Sequence, residues 1–193
     1  LANRDLLYRR LRDEIARAEP ERQAVWVLFV DVDRFKFVTD SLGHRAGDAF
    51  LQAIAQRLLD VVRPEDTVAR LGSDEFILVA PGRGAGALDN TVPERILEAI
   101  ARPVTVGTQE LFLSACVGVA RYPDDSADPA TLIDFADLAM HGAKGMGRNS
   151  YQFFDFEMVE KAQQRLRMES DLRNALERDE FVLHYQPQLD LSS

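Results

Sequence analysis

The run "AVWVLFVDVD", Ala24 to Asp33, constrains the fold of this chain more than any other stretch. It is continuous, β-branched and aromatic, the composition of a strand buried inside a sheet. It ends in two acids, Asp31 and Asp33, which strand alternation points to one face. A buried strand of this kind needs partners and a cover, so the flanking segments decide the architecture.

Before it, Asn3 can cap a helix whose apolar residues Leu6, Leu7, Leu11 and Ile15 recur at helical spacing. The stretch "AEPER" is expected to break that helix. After it, "RFKFVTDSLGH" reads as a short helical turn and loop. A second amphipathic helix is expected to begin at Asp48 and to end at Pro64, with Leu51, Ile54, Ala55, Leu58, Leu59 and Val62 as its stripe. "TVARLGSDEFILVA" predicts a β-hairpin around a polar turn, and "PGRGAGALDN" a glycine-rich surface loop. A helix over Val92 to Ala101 follows, then a hairpin over "PVTVGTQELFLSACVGVARYP" turning near Gly107. Asp128 and Pro129 open a further helix, with Gly145 near its end. "NSYQFF" predicts a short strand and "FVLHYQPQLDL" a last one. This order implies an α/β (α+β) domain, a mostly antiparallel central sheet flanked by helices. The long charged helix after Phe154 carries few large apolar residues and reads as a linker, with a boundary near Asp155. The expected organisation is a domain over residues 1–154, a linker helix over 155–179 and a further segment over 180–193.

Composition narrows the function. The chain has 193 residues, enough for one domain with a proper core. Its longest apolar run, Ala24 to Val30, is too short to cross a bilayer, and "LANRDLLYRRLRDEI" is amphipathic, unlike a signal peptide. The lone Cys116 forms no internal disulfide, which implies a reduced, cytoplasmic setting. A formal charge of −9 argues against nucleic acid as a partner, because a polyanion would be repelled. A small anionic ligand is still open, given a metal ion and a few placed cations.

The acids could supply that metal site. Asp74 and Glu75 sit in the hairpin turn, and Asp31 and Asp74 converge if the hairpin pairs beside the first strand. Two carboxylates with a backbone carbonyl and phosphate oxygens suit Mg²⁺ and phosphoryl transfer. Taken alone, each acid pair also fits groups that merely solvate a strand end or a turn. Lys36 follows the first pair, and Lys144 and Arg148 lie at a helix end, where they either answer the helix dipole or grip phosphates. His44 caps or packs in its loop, or serves the site. Met140 and Met146 read as packing.

Three stretches, "FVDVDRFKFVTDSLGHRAGDAFL", "RPEDTVARLGSDEF" and "ADLAMHGAKGMGRNSY", together resemble the GGDEF domain, the diguanylate cyclase family, from about Asn3 to Phe154. The resemblance implies a fold like the nucleotidyl cyclase palm. It also implies a reaction in which two such domains, each holding one GTP, meet as a homodimer. Each ribose 3′-hydroxyl then attacks the other α-phosphate, giving cyclic di-GMP and pyrophosphate. By resemblance, Asp31, the backbone carbonyl of Val32 and Asp74 hold Mg²⁺ (magnesium, or Mn²⁺), and Glu75 and Asp74 serve the reaction centre. Phe35, Lys36, Gly72, Ser73, Lys144 and Arg148 match positions around the phosphates, and Thr39 and Asp48 the guanine edge. Arg63 and Asp66, in "RPED", match an inhibitory site that binds cyclic di-GMP.

The motif is degenerate. The family carries Asn at Thr39, a second glycine at Ser73 and Tyr at His141. A turn needing φ > 0 at Ser73 would be strained by about 1 kcal/mol with serine there. Two functions therefore stand: a weak cyclase, or a catalytically inactive GTP-binding module that regulates a neighbour. A docking scaffold is a third and weaker one. The tail "LRNALERDEFVLHYQPQLDL" resembles the start of an EAL domain, the cyclic di-GMP phosphodiesterase, without its catalytic acids. That implies a natural protein that continues past Ser193, cytoplasmic or the cytoplasmic part of a larger membrane-bound sensor.

Overall fold

The structure is a computed structural model that describes residues 1–82 and 91–186. It divides into two compact units, Leu1–Asp155 and Phe156–Ser193. In the first, the elements run α1 (Arg4–Glu21), β1 (Val25–Val32), α2 (Phe35–Leu42), α3 (His44–Val61), β2 (Thr67–Arg70), β3 (Glu75–Pro81) and α4 (Thr91–Ala101). They continue β4 (Val104–Val106), β5 (Gln109–Leu111), β6 (Ala115–Tyr122), α5 (Pro129–Met146) and β7 (Ser150–Phe153). The second unit holds α6 (Phe156–Glu177).

The apolar run does become the middle of a sheet. Five strands pair in the order β2-β3-β1-β6-β7, antiparallel except for the parallel β6–β7 pair. Alternate residues of β1 serve two cores. Leu28, Val30 and Val32 join Phe50, Ile54 and Leu58 of α3 and Ile96 and Ile100 of α4. The opposite face of β1, with Val27 and Phe29 buried, is packed by α5 and α1. A strand covered on both faces has no solvated face, and so shows no polar alternation until its acidic end. The mostly antiparallel sheet with flanking helices is thus observed.

One glycine sets how close α5 sits. A β carbon on Gly118 of β6 would run into the Ala136 carbonyl oxygen and the Met140 amide nitrogen. Only glycine lets the α5 backbone lie directly on the strand here. That approach carries the last turn of α5 to the acidic end of β1.

The end of α1 is as expected, within "AEPER": Pro20 sits inside the last turn, the helix ends at Glu21 and Arg22 caps it in a left-handed conformation. A proline there removes one hydrogen bond from a turn that is already ending. Several expectations change. Helix α3 starts at His44, four residues before Asp48, because Gly43 at φ +82 turns α2 directly into α3 without a side-chain cap. The predicted hairpin over residues 103–123 is two things: β4 and β5 pair around Gly107, and β6 leaves to pair with β1 and β7. Of "PGRGAGALDN", residues 83–90 lie outside the described residues. In the second unit α6 buries none of its residues. Residues 181–186 form no strand there, and the remainder of that predicted strand lies outside the described residues. A strand needs a neighbour for its N–H and C=O groups, and this segment pairs with none among the described residues.

Candidate active site

The site gathers at the end of β1, where a strand, a turn and two helices meet. The ladder puts Asp31 directly opposite Glu75 on β3 and Cys116 on β6. Asp74 lies one residue further, in the turn, and its carbonyl accepts from the Val32 N–H at 3.1 Å. The partner that register gives Asp31 is therefore Glu75, while Asp74 reaches it through its charge.

Lys144, from the last turn of α5, closes on Asp31, with Nζ 2.9 Å from Oδ2. Burial pushes the Asp31 carboxyl above the ordinary carboxylate range. Lys144 pulls it back, and the charges of Asp74 and Asp33 push it further. Glu75 is raised as well, by burial first, then by Asp74, Asp31 and Asp137. Asp31 and Glu75 are thus both pushed toward the neutral form beside the charge of Asp74, which is the electrostatic state of a pocket that would welcome a cation.

The turn itself is held by a residue the motif search passed over. Arg70 donates from Nε to the Gly72 carbonyl at 3.0 Å and from Nη2 to the Ser73 carbonyl at 2.9 Å. The available signal was an Arg closing an otherwise buried strand, two residues before the glycine of an acid turn. Ser73 is not strained. Among the described residues the left-handed non-glycines are Arg22, Arg34, Asn149 and Asp179, and neither Gly72 nor Ser73 adopts positive φ. The expected penalty at Ser73 is thus absent, and its hydroxyl instead donates to Asp74 Oδ1 at 2.5 Å. At Gly72 a β carbon would stand 2.6 Å from Glu75 Oε2, so a side chain there would displace the Glu75 carboxylate rather than the backbone.

A cleft of about 400 Å³ leads from α2 and α3 to this turn, lined by Phe35, Lys36, Thr39, His44, Asp48, Leu51, Arg70, Ser73 and Asp74. It unites the expected base-contact residues with one expected metal ligand. Leu51 and Arg70 are additions that sequence reasoning left in the core and in a strand. The Thr39 hydroxyl donates to the Lys36 carbonyl of its own helix at 2.9 Å. Arg148 is exposed beyond the end of α5. Arg63 and Asp66 line no part of the cleft. They close a local turn, in which the Arg63 N–H donates to Asp66 Oδ2 at 2.8 Å and the Asp66 N–H to the Arg63 carbonyl at 3.0 Å. His141 pairs with Asp137 on the surface of α5.

Among the described residues no three Asp, Glu, His or Cys side chains converge as a cage for a metal. Mg²⁺ does not require one, since it keeps waters and is held by one or two carboxylates with substrate phosphates. Asp74, lining the cleft, and Asp31, which its charge reaches from the end of β1, fit that demand.

A family model described as "Diguanylate cyclase, GGDEF domain" matches residues 1–150. The chain belongs to the GGDEF domain family. It is 43% identical over 189 residues, 98% of its length, to MucR of Pseudomonas aeruginosa, named a bifunctional diguanylate cyclase/cyclic di-GMP phosphodiesterase. It covers 27% of that protein, and spans 21% to 30% of the curated relatives it matches. The GGDEF domain of TpbB (YfiN) from the same organism aligns with a TM-score of 0.81 at 35% identity, covering 84% of this chain and 95% of that one. The GGDEF domain of DgcB from Caulobacter crescentus, solved in complex with c-di-GMP, aligns at 0.70 and 27% identity, covering 79% of this chain and 88% of that one. Among the described residues no helix is long and apolar enough to cross a membrane.

Proposed function

We propose that this GGDEF domain binds GTP with Mg²⁺ or Mn²⁺ and acts as a weak diguanylate cyclase, joining two GTP into cyclic di-GMP with release of pyrophosphate. The observation that carries this reading is the single cleft in which Phe35, Lys36, Thr39 and Asp48 lead to Asp74. Thr39 and Asp48 face the guanine edge there. Lys144 and Arg148 hold the phosphates, with Phe35, Lys36, Gly72 and Ser73 lining the path. Asp31, Asp74 and the Val32 carbonyl would hold the metal, which supplies positive charge against that developing on the phosphate. Glu75, its carboxyl raised by burial and by Asp74, would take a proton from the attacking hydroxyl. One domain supplies half of a two-nucleotide centre, so turnover requires a homodimer. Arg63 and Asp66 form a separate inhibitory site for cyclic di-GMP.

A second reading keeps GTP binding without turnover, with the domain regulating a downstream EAL phosphodiesterase through α6. The Thr39 hydroxyl favours it, since its only proton is already given to the Lys36 carbonyl. A site built to read an amide edge then loses a donor, which weakens base selection. In either reading the domain works in the cytoplasm, by itself or as part of a larger membrane-bound sensor.

The test is incubation of concentrated protein with GTP and Mg²⁺, followed by nucleotide chromatography, beside a GTP titration. Cyclic di-GMP supports the cyclase. Binding without product supports the regulatory module, and absence of binding overturns both.

A further inference from the structure

Behind the acid cluster lies a second polar group that the proposed chemistry does not use. Asp33, two residues beyond Asp31, is 8% exposed. A carboxylate so buried needs donors. It accepts from Ser114 Oγ at 2.5 Å, and the Cys116 sulfur lies 3.7 Å from its Oδ1. The Asp33 N–H donates to the Ser114 carbonyl at 2.8 Å, so the residue is fastened to the segment entering β6 by both main chain and side chain.

From Cys116 the connection continues to α5. The sulfur is also 3.7 Å from the Gly147 carbonyl, which caps that helix. The thiol has one proton for these two acceptors, so the second must be served elsewhere. When the thiol donates to Asp33, the Ser150 hydroxyl, 2.8 Å from the Gly147 carbonyl and 2.9 Å from the Ala143 carbonyl, has one proton to share between them at the helix end. The last carbonyls of a helix have no partner within the helix, so these contacts decide where the last turn of α5 stands. Lys144 belongs to that turn and Arg148 directly follows Gly147.

We propose that Asp33 is a positioning residue: with Ser114, Cys116 and Ser150 it ties the end of α5 to the end of β1, and so sets Lys144 against Asp31 and fixes the start of the segment that carries Arg148. This rests on the GTP-binding reading above, because the two cations are the groups whose placement matters. Asp33 itself touches neither nucleotide nor metal.

The test uses the full chain with Asp33→Asn, which keeps shape and one acceptor oxygen, and Ser114→Ala as an independent cut. Two quantities are read. Hydrogen exchange in the protein without nucleotide should rise at the amides of residues 143–150 and stay unchanged in α3 and α4. Affinity for Mg²⁺·GTP should drop about tenfold in the parent background and less than about twofold when Lys144→Ala and Arg148→Ala are already present. That non-additivity is the signature of action through the cations. Unchanged exchange at 143–150 overturns the proposal whatever the nucleotide does. So does an equal loss of affinity in both backgrounds, or exchange that rises evenly across the domain, either of which makes Asp33 an ordinary core residue. Local loosening in a protein that does not bind Mg²⁺·GTP at all overturns the functional reading, and the positioning role with it.

Discussion

Replacing Ser73 by glycine restores the family residue, and the structure gives the sign of the outcome. If the turn required φ > 0, serine would be strained and glycine would stabilise the protein by about 1 kcal/mol. Ser73 does not adopt positive φ, so there is no strain to relieve. Glycine instead removes the hydroxyl that donates to Asp74 and frees the unfolded chain. A solvent-exposed hydrogen bond stands at the low end of its range, about 0.5 kcal/mol, and added backbone entropy costs about 0.5–1 kcal/mol more. The sum is a destabilisation of about 1–1.5 kcal/mol. With a urea slope of about 2 kcal/mol/M the midpoint moves down by about 0.5–0.75 M. The assay is urea unfolding of both proteins without nucleotide, followed by near-ultraviolet circular dichroism. A midpoint that rises on Ser73→Gly refutes the reasoning, because it means the turn was strained after all.

Gly118→Ala puts a methyl group against the α5 backbone, so stability should drop by at least about 2 kcal/mol, read by thermal unfolding; a change under ~0.5 kcal/mol shows that α5 can move away freely. Glu75 has a raised folded-state pKa, so its contribution to stability is full below the ordinary carboxylate range and lost as pH rises through the raised value. Glu75→Gln should therefore stabilise the nucleotide-free protein at neutral pH, with the advantage fading toward acid; an advantage that grows toward acid contradicts the shift. Burial, with the charge of Asp33, pushes the Cys116 thiol up, so iodoacetamide should label the native protein slowly and the urea-unfolded protein fast. Equal rates would place Cys116 at the surface.

How far the site could be read in advance follows from the kind of signal each residue leaves. Asp31, Asp74, Glu75, Lys144 and Arg148 stand out through the spacing of the three motifs, since each alone has an ordinary structural reason to be there, at a strand end, a turn or a helix end. Arg70 and Asp33 left no such mark. Arg70 acts on the carbonyls of Gly72 and Ser73, and backbone acceptors are the same for every residue type. Asp33 acts through Ser114 and Cys116, more than eighty residues away in the chain. The expected hairpin after α4 ran on into β6 because a local pattern does not name a partner: β6 pairs with β1, a strand from the start of the chain.

By itself the sequence determined the central buried strand, the amphipathic helices and the family, since apolar periodicity and motif spacing are local properties of the chain. Tertiary structure alone decided which faces meet. The approach of α5 at Gly118 carries Lys144 to Asp31, the antiparallel register sets Glu75 opposite Asp31, and the unstrained turn lets Ser73 hold Asp74. The first two depend on the distance between residues far apart in sequence, which is fixed only when the sheet and its helices pack; the third is local, and its freedom from strain shows only in the folded backbone.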